Sequence, residues 1–211
     1  MNGQEIIQAM NWRFATQAFD STKKVADEDL KTILEAARLA PSSFGIEAWR
    51  FLVIENPEIR AKIRAAAWDQ AKVTEASHLI VIARRTDVRE NIVNELIART
   101  AQTQGVPEDA LSGFRQMVGG AVETRDTAQL DTWVRSQAYI ALGVMVETAS
   151  LLGIDNGPME GFDPAKVDEI LGLKEKQLTS TSLLALGYRA EGSSLRPKVR
   201  REFNEVVEFI K

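Results

Sequence analysis

Four short segments carry residue types that can hold an anion or admit a ligand close to the backbone. Trp12-Arg13-Phe14-Ala15-Thr16-Gln17-Ala18-Phe19 sets an arginine among aromatics. Ala40-Pro41-Ser42-Ser43-Phe44-Gly45-Ile46-Glu47-Ala48-Trp49 offers hydroxyl and backbone N–H donors in a loop, equipment for an anion or a planar ring. Asn156-Gly157-Pro158-Met159-Glu160-Gly161-Phe162-Asp163 brackets a short stretch with glycines, where backbone can approach a ligand closely. Leu195-Arg196-Pro197-Lys198-Val199-Arg200-Arg201 concentrates basic residues in an acidic chain, a phosphate clamp that Arg13 can join. Each segment also has a plain structural explanation: a surface arginine beside core anchors, a serine-capped turn, a connection closed by the Asp163 cap, a solvated basic face. Lys72 and His78 complete the set, and His78, at the mouth of an apolar run, reads as structural. Trp68, Phe114 and Trp133 suit either core packing or the wall of a pocket.

The remaining composition narrows the chemistry. There is no cysteine and one histidine. That excludes disulfides, thiolate nucleophiles, cysteine-held zinc or iron–sulfur centres and any multi-histidine metal site, and no metal is expected. No GxSxG elbow, GxGxxG turn or GxxxxGK[ST] loop occurs. If the chain is an enzyme, its harder chemistry belongs on a cofactor. With 26 basic and 30 acidic residues the formal charge is −4, which argues against a general nucleic-acid binder. The most apolar long stretch, Tyr139 to Ile154, contains Glu147 and is too short to cross a bilayer, and neither a secretory nor a lipidation signal is visible. A soluble, cytoplasmic protein is expected.

The elements that would position these segments follow from periodicity. The 211 residues suffice for one sizeable core, and no repeat or linker divides them. Helices are predicted over 4–12, over 27–40 with Asp27 as cap, from Asn56-Pro57-Glu58 to about 67, and around 69–75. Further helices are predicted over 87–104, 107–118 and 126–152, and from Asp163-Pro164 to Gly172. Gly105-Val106-Pro107 and Gly119-Gly120 read as flexible breaks. On the longest helix Val134, Ala138, Ala141, Leu142, Met145, Ala149 and Leu152 share a face, and Gly153 closes it. Strands are predicted at Phe51–Ile54, His78–Ala83 and Ser182–Tyr188. Few strands among long helical stretches indicate α+β or α/β with a small sheet enclosed by helices. One domain over 1–211 is expected, with a helical excursion at about 87–133. The apolar arm at about 199–211 should dock onto something.

Taken together, the segments resemble the FMN-dependent, oxygen-insensitive nitroreductases. Arg13…Gln17-Ala18-Phe19, Pro41-Ser42-Ser43…Trp49-Arg50-Phe51, Ala76-Ser77-His78, Pro158-Met159-Glu160-Gly161-Phe162-Asp163 and Lys198-Val199-Arg200 come in that family's order and spacing. The likeness runs nearly end to end. It implies an α+β fold with a small mixed sheet surrounded by helices, in an intertwined homodimer whose C-terminal arms cross to the partner. It implies FMN at the dimer interface. NADH or NADPH would give a hydride to the flavin and leave, and a nitroaromatic or quinone acceptor would then be reduced in the same pocket, a ping-pong cycle.

Carried over position by position, the resemblance assigns the FMN phosphate to Arg13, Lys198 and Arg200, and backbone contacts to Phe14 and Ala15. Ser42 and Ser43, with Phe44 and Glu47 in the same loop, would come from the other subunit. Pro158, Met159, Glu160 and Gly161 would face the isoalloxazine, with a backbone N–H near Glu160 at N5, and Gln17, Asp69 and Lys72 would lie near the ring. No catalytic side chain is assigned. Trp68, Phe114 and Trp133 are the expected substrate-pocket aromatics. Relatives often have lysine at Gln17, glutamine at Glu47, and asparagine at Gly45 and Asp69. Fewer cations and more acids near the ring imply a lower flavin potential. Two other readings stand beside this one: a specialised flavin-dependent dehydrogenase or dehalogenase of the same fold, and a non-enzymatic flavin-binding module.

Overall fold

The computed structural model describes residues 2–193 and 196–211; Leu195, at the head of the basic run, lies outside them. Four strands form one sheet in the order β1-β2-β4-β3: β1 Trp49–Ile54, β2 His78–Arg85, β3 Asp155–Met159 and β4 Leu178–Gly187. All pairings between these strands are antiparallel. The expected mixed character is confined to one isolated parallel bridge, Ala15 to Asn156, on the free side of β3.

The helices among the described residues are α1 Gly3–Trp12, α2 Asp27–Arg38, α3 Pro57–Ala66, α4 Lys72–Glu75, α5 Val93–Gln104, α6 Ser112–Glu123, α7 Thr127–Leu151, α8 Pro164–Leu171 and α9 Phe203–Val206. Strand alternation sorts the core into two layers. Ile80, Ile82, Leu184 and Leu186 pack with α2 and α7, while Leu79, Val81 and Leu183 pack with α3 and α8. Burial on both faces explains the apolar runs Leu79–Ala83 of β2 and Leu183–Leu186 of β4. A third apolar cluster lies apart: Ile46 and Ala48 sink among Val88, Leu96, Val118, Val122, Leu130 and Val134 of the excursion.

Most predicted boundaries hold where a cap names them. Asn56 accepts from the amides of Glu58 and Ile59 ahead of Pro57, Asp163 does the same for Ala165 and Lys166, and Gly172 ends α8 in a left-handed conformation. Other expectations are corrected. Ala26, not Asp27, is the N-cap of α2, and Asp27 joins Glu28 and Asp29 in the first turn, where acids face the helix dipole. Gly119-Gly120 is no break: α6 runs through it, because Val118 and Val122 are buried together and outweigh the helical cost of glycine, about 1 kcal/mol each. Leu152 lies beyond α7 and is exposed.

The largest difference is β3, whose residues the sequence presented as a loop. Its glycine and proline are edge-strand features. Pro158 is tolerated because β3 ends the sheet, so no neighbouring strand requires its missing N–H. Gly157 is needed because a Cβ there would lie 2.8 Å from the Thr16 carbonyl oxygen. Along the arm, Val199, Phe203, Val206, Phe209 and Ile210 are exposed within the single chain.

Candidate active site

The free edge of β3 organises one group of the predicted residues. Asn156 turns its carbonyl outward and accepts from the Thr16 amide at 3.1 Å. Alternate residues of a strand direct their backbone groups to the same side, so Pro158 and Glu160 share that edge. Pro158 has no N–H to offer. The amides of Glu160 and Gly161 donate to no protein acceptor among the described residues. The turn is nonetheless held closely. Phe162 N–H donates to the Glu160 carbonyl, Gln70 Nε2 to the Gly161 carbonyl at 2.7 Å, and Asp163 N–H to the Ala66 carbonyl. The Trp68 ring lies over Gly161, where a Cβ would come within 2.8 Å of it. Met159 points its side chain into the core, so only its backbone belongs to this edge.

Segment 13–18 follows α1 and runs along the same edge. Gln17 donates from Nε2 to the Ala15 carbonyl at 2.8 Å and accepts at Oε1 from Lys72 Nζ at 3.2 Å. Lys72 is buried, and that burial lowers its ammonium pKa. Its stem passes beneath Gly157, with Cδ 3.7 Å from where a Cβ would stand. Beyond the segment, Lys198 Nζ donates to the carbonyls of Met10, Asn11 and Arg13 at the C-terminal end of α1, where the dipole favours a cation. Burial first, then Arg200, lowers the Arg13 pKa; burial first, then Arg13 and Arg200, lowers that of Lys198. None of the three pairs with a carboxylate among the described residues, so the cluster is an uncompensated positive patch suited to a dianion. A cavity of about 520 Å³ lies between Phe14–Ala18 and Arg189, Ser193 and Arg196.

The loop from Ser42 to Glu47 belongs to a different part of the chain. Ser43 N–H donates to Gln137 Oε1 of α7 at 2.8 Å, Glu47 N–H to Ser42 Oγ at 3.0 Å, and Arg99 of α5 to the Gly45 carbonyl at 2.9 Å. Phe44, in the left-handed region at φ 57°, meets Trp133 edge-on at 6.4 Å, and the Arg125 guanidinium covers the same indole at 4.5 Å. Phe114 packs against the same excursion cluster. No hydrogen bond, ion pair or ring contact among the described residues joins this loop to Arg13, Lys198 or Glu160. The three expected pocket aromatics are therefore split within one chain: Trp68 at the sheet edge, Phe114 and Trp133 on the excursion.

The two unusual acids are both partnered. Asp69 lies 2.6 Å from Arg64, and Glu47 lies 3.5 Å from Arg99. Gln17, by contrast, hydrogen-bonds within the edge itself, to the Ala15 carbonyl and Lys72.

Sequence reasoning missed Asp155, Thr16, Arg189 and Tyr139. Buried Asp155 accepts from Thr16 Oγ1 at 3.2 Å and from the backbone and Nε of Arg189 at 2.9 and 2.7 Å, and Arg189 stacks on Trp12 at 4.7 Å. This network ties segment 13–18 to the edge strand β3 and to the residue pair that follows β4. Tyr139 of α7 donates to Glu160 Oε1 at 2.5 Å. The first network leaves no motif in the sequence, since Asp155 stands beside Asn156 and Gly157 as an ordinary polar turn would.

Residues 10–188 match the Nitroreductase family. A Staphylococcus epidermidis protein provisionally named as an NAD(P)H nitroreductase is 38% identical over 98% of this chain and 97% of its own length. The fold is that of a nitroreductase so designated from Bacillus subtilis, with a TM-score of 0.88, 21% identity, and coverage of 99% of this chain and 100% of that one. It is also that of an Exiguobacterium sibiricum protein crystallised with FMN, with a TM-score of 0.82, 23% identity, and coverage of 100% and 98%. With its residues in the family's order and a relative alike over almost its whole length, the chain belongs to the nitroreductase family.

Proposed function

We propose that the protein is an FMN-dependent oxidoreductase that takes a hydride from NADH or NADPH and reduces nitroaromatic or quinone-type acceptors. One arrangement carries this reading: a cationic cluster without a carboxylate partner and a pair of amides without a protein acceptor, in both cases among the described residues, stand along one sheet edge, joined by Gln17 and Lys72. Arg13, Lys198 and Arg200 would hold the FMN phosphate. Phe14, Ala15, Gln17 and Lys72 would follow the flavin toward its ring, and Pro158 to Gly161 would offer the Glu160 amide to N5. When bound, FMN supplies the hydride relay between donor and acceptor in two alternating half-reactions. The chain supplies orientation and exclusion of water, which suits a protein without cysteine and with one histidine. The FMN held by the Exiguobacterium relative and the NAD(P)H in the Staphylococcus relative's name support cofactor and donor.

The site is completed in a homodimer. Ser42, Ser43, Phe44 and Glu47, apart from the cationic cluster in one chain, would reach the partner's flavin, and the exposed apolar arm would be covered by that partner. Phe114 and Trp133 would then meet the partner's Trp68 around the acceptor. The cytoplasm, where NAD(P)H is supplied, is the expected location. Gln17 in place of lysine brings a dipole without a charge, so reduced flavin is stabilised less. Gln17→Lys should raise the flavin midpoint potential in an anaerobic titration; an unchanged potential removes this part of the reading.

The purified protein should show flavin absorption that bleaches when NADH or NADPH is added anaerobically and returns with a nitrofuran or a quinone. A protein that cannot be reconstituted with FMN overturns the proposal. Bound flavin that neither donor bleaches would establish the non-enzymatic module instead. Bleaching without nitro or quinone turnover would point to a specialised dehydrogenase or dehalogenase.

A further inference from the structure

We infer that Tyr139 is a positioning residue for the flavin-facing turn: its hydroxyl tethers the Glu160 side chain to α7, aims the Glu160 amide outward, and holds the carboxylate charge off the ring. This rests on the FMN reading above. The donor in question is the Glu160 N–H, which has no protein acceptor among the described residues and shares its edge with the outward Asn156 carbonyl. A donor at the end of a strand keeps its direction only if the residues around it are pinned. The Gly161 carbonyl is pinned by Gln70 and the Asp163 amide by the Ala66 carbonyl. At Glu160 itself, its carbonyl accepts from Phe162 and its side chain is held by Tyr139 at 2.5 Å.

The geometry suits a rigid tether. Tyr139 sits midway along α7, packed against the main core cluster, and so cannot follow a wandering glutamate. Met159 is buried in the opposite layer, so alternation turns the Glu160 side chain toward α7. Burial first, then the bond to Glu160, pushes the phenol up to about 12, so it remains a donor through the working pH range. A carboxylate that accepts a short bond from a neutral phenol is fixed in place and partly satisfied. Released, it would carry a mobile negative charge beside a ring that becomes anionic on reduction, disfavouring the reduced form.

The test uses the FMN-loaded protein and reads binding and potential, not turnover. Tyr139→Phe keeps the packed ring and removes the hydroxyl. The FMN dissociation constant should rise about threefold to tenfold, the size of one ordinary hydrogen bond, because the lost bond orients the amide and does not itself touch FMN, and the midpoint potential should fall. In a Glu160→Gln background, which keeps the backbone amide and removes the charge, the same substitution should leave the potential unmoved. If Tyr139→Phe does not fold, Glu160→Ala removes the tether from the exposed end and should raise the dissociation constant by the same factor. Wild-type protein that binds FMN with Tyr139→Phe indistinguishable from it overturns this inference alone, as does an equal fall in potential with and without the Glu160 charge. Wild-type protein that binds no FMN overturns the functional reading and this inference with it.

Discussion

Segment 13–17 is held on the sheet edge by backbone, whereas the loop from Ser42 to Glu47 is held on the excursion by side chains. On the edge, Ala15 bridges Asn156, the Thr16 amide meets the Asn156 carbonyl, and the Ala190 amide meets the Ala18 carbonyl, all above a buried carboxylate. On the excursion, the buried Ile46 side chain and single bonds from Gln137 and Arg99 restrain a loop with left-handed backbone at Phe44, Gly45 and Glu47. The difference teaches how one chain can build a rigid cradle and an adaptable cover. Ladder contacts resist movement together, while separate side-chain bonds release one at a time. In the proposed dimer the rigid half would bind cofactor and the adaptable half, from the partner, would meet acceptors of varied shape.

The cationic end of the edge should show the largest effect. Arg13→Ala should weaken FMN binding about 10- to 100-fold, the range expected for a charge-assisted bond worth about 1.5–3 kcal/mol. Fluorescence titration of the apoprotein measures it, and urea unfolding without FMN should be unchanged because Arg13 pairs with no carboxylate among the described residues. A loss of stability in place of a loss of affinity would make Arg13 structural.

A pair of alanine substitutions sharpens the comparison itself. Gly157→Ala should cost about 1–3 kcal/mol, because its Cβ meets the Thr16 carbonyl oxygen at 2.8 Å and backbone must shift. Gly45→Ala has nothing within 4 Å and only the left-handed φ of 75° to pay, about 1–2 kcal/mol. Urea midpoints give both values. If Gly45→Ala were the costlier, the excursion would be the rigid half.

Next in size is the strap from α7. Gln137→Leu leaves the Ser43 amide without its acceptor, costing about 1 kcal/mol or somewhat more. Hydrogen exchange should quicken at Ser43 and stay unchanged at Thr16. Equal acceleration at both would mean that the two halves open as one unit.

The smallest effect concerns pH at the junction of β2 with the excursion. Arg85 hydrogen-bonds Asp87 and Glu95 and holds both carboxyls below their ordinary values of 3.8 and 4.5. Groups depressed in the folded state stabilise it above their unfolded pKa and cease to do so as pH falls through the folded value. The contribution should therefore be complete above about pH 5 and fade below about pH 4. Asp87→Asn should flatten the acid limb of a stability-against-pH curve, and a limb as steep as wild type would exclude the pair as its source.

Legibility followed the range of the interaction. Asn56-Pro57, Asp163-Pro164 and Gly172 announce their helix ends because a cap and its helix are adjacent in sequence. The apolar runs of β2 and β4 announce a doubly covered sheet. β3 was hidden because its glycine and proline answer to Thr16 and to an edge position, and neither shows in a local window. The Asp155–Thr16 bond spans 139 residues, the Asp155–Arg189 bonds 34, and the Tyr139–Glu160 bond 21. Single polar matches at such separations leave no period and no motif. Tertiary packing also partnered Asp69 with Arg64 and Glu47 with Arg99, neighbours that residue types alone do not announce.

Composition by itself determined that side-chain chemistry is scarce here, so that an enzyme of this composition places its harder chemistry on a cofactor, because residue types limit which acids, bases, nucleophiles and ligands exist. Residue order determined the family and the segments that matter. Only the folded chain decided which of those segments meet. It brought Arg13, Lys198, Lys72 and Glu160 to one edge, and it set Ser42, Phe44 and Trp133 on another unit. The reason is physical: a site is made of directions and distances, and these come from long-range packing that a linear order does not contain.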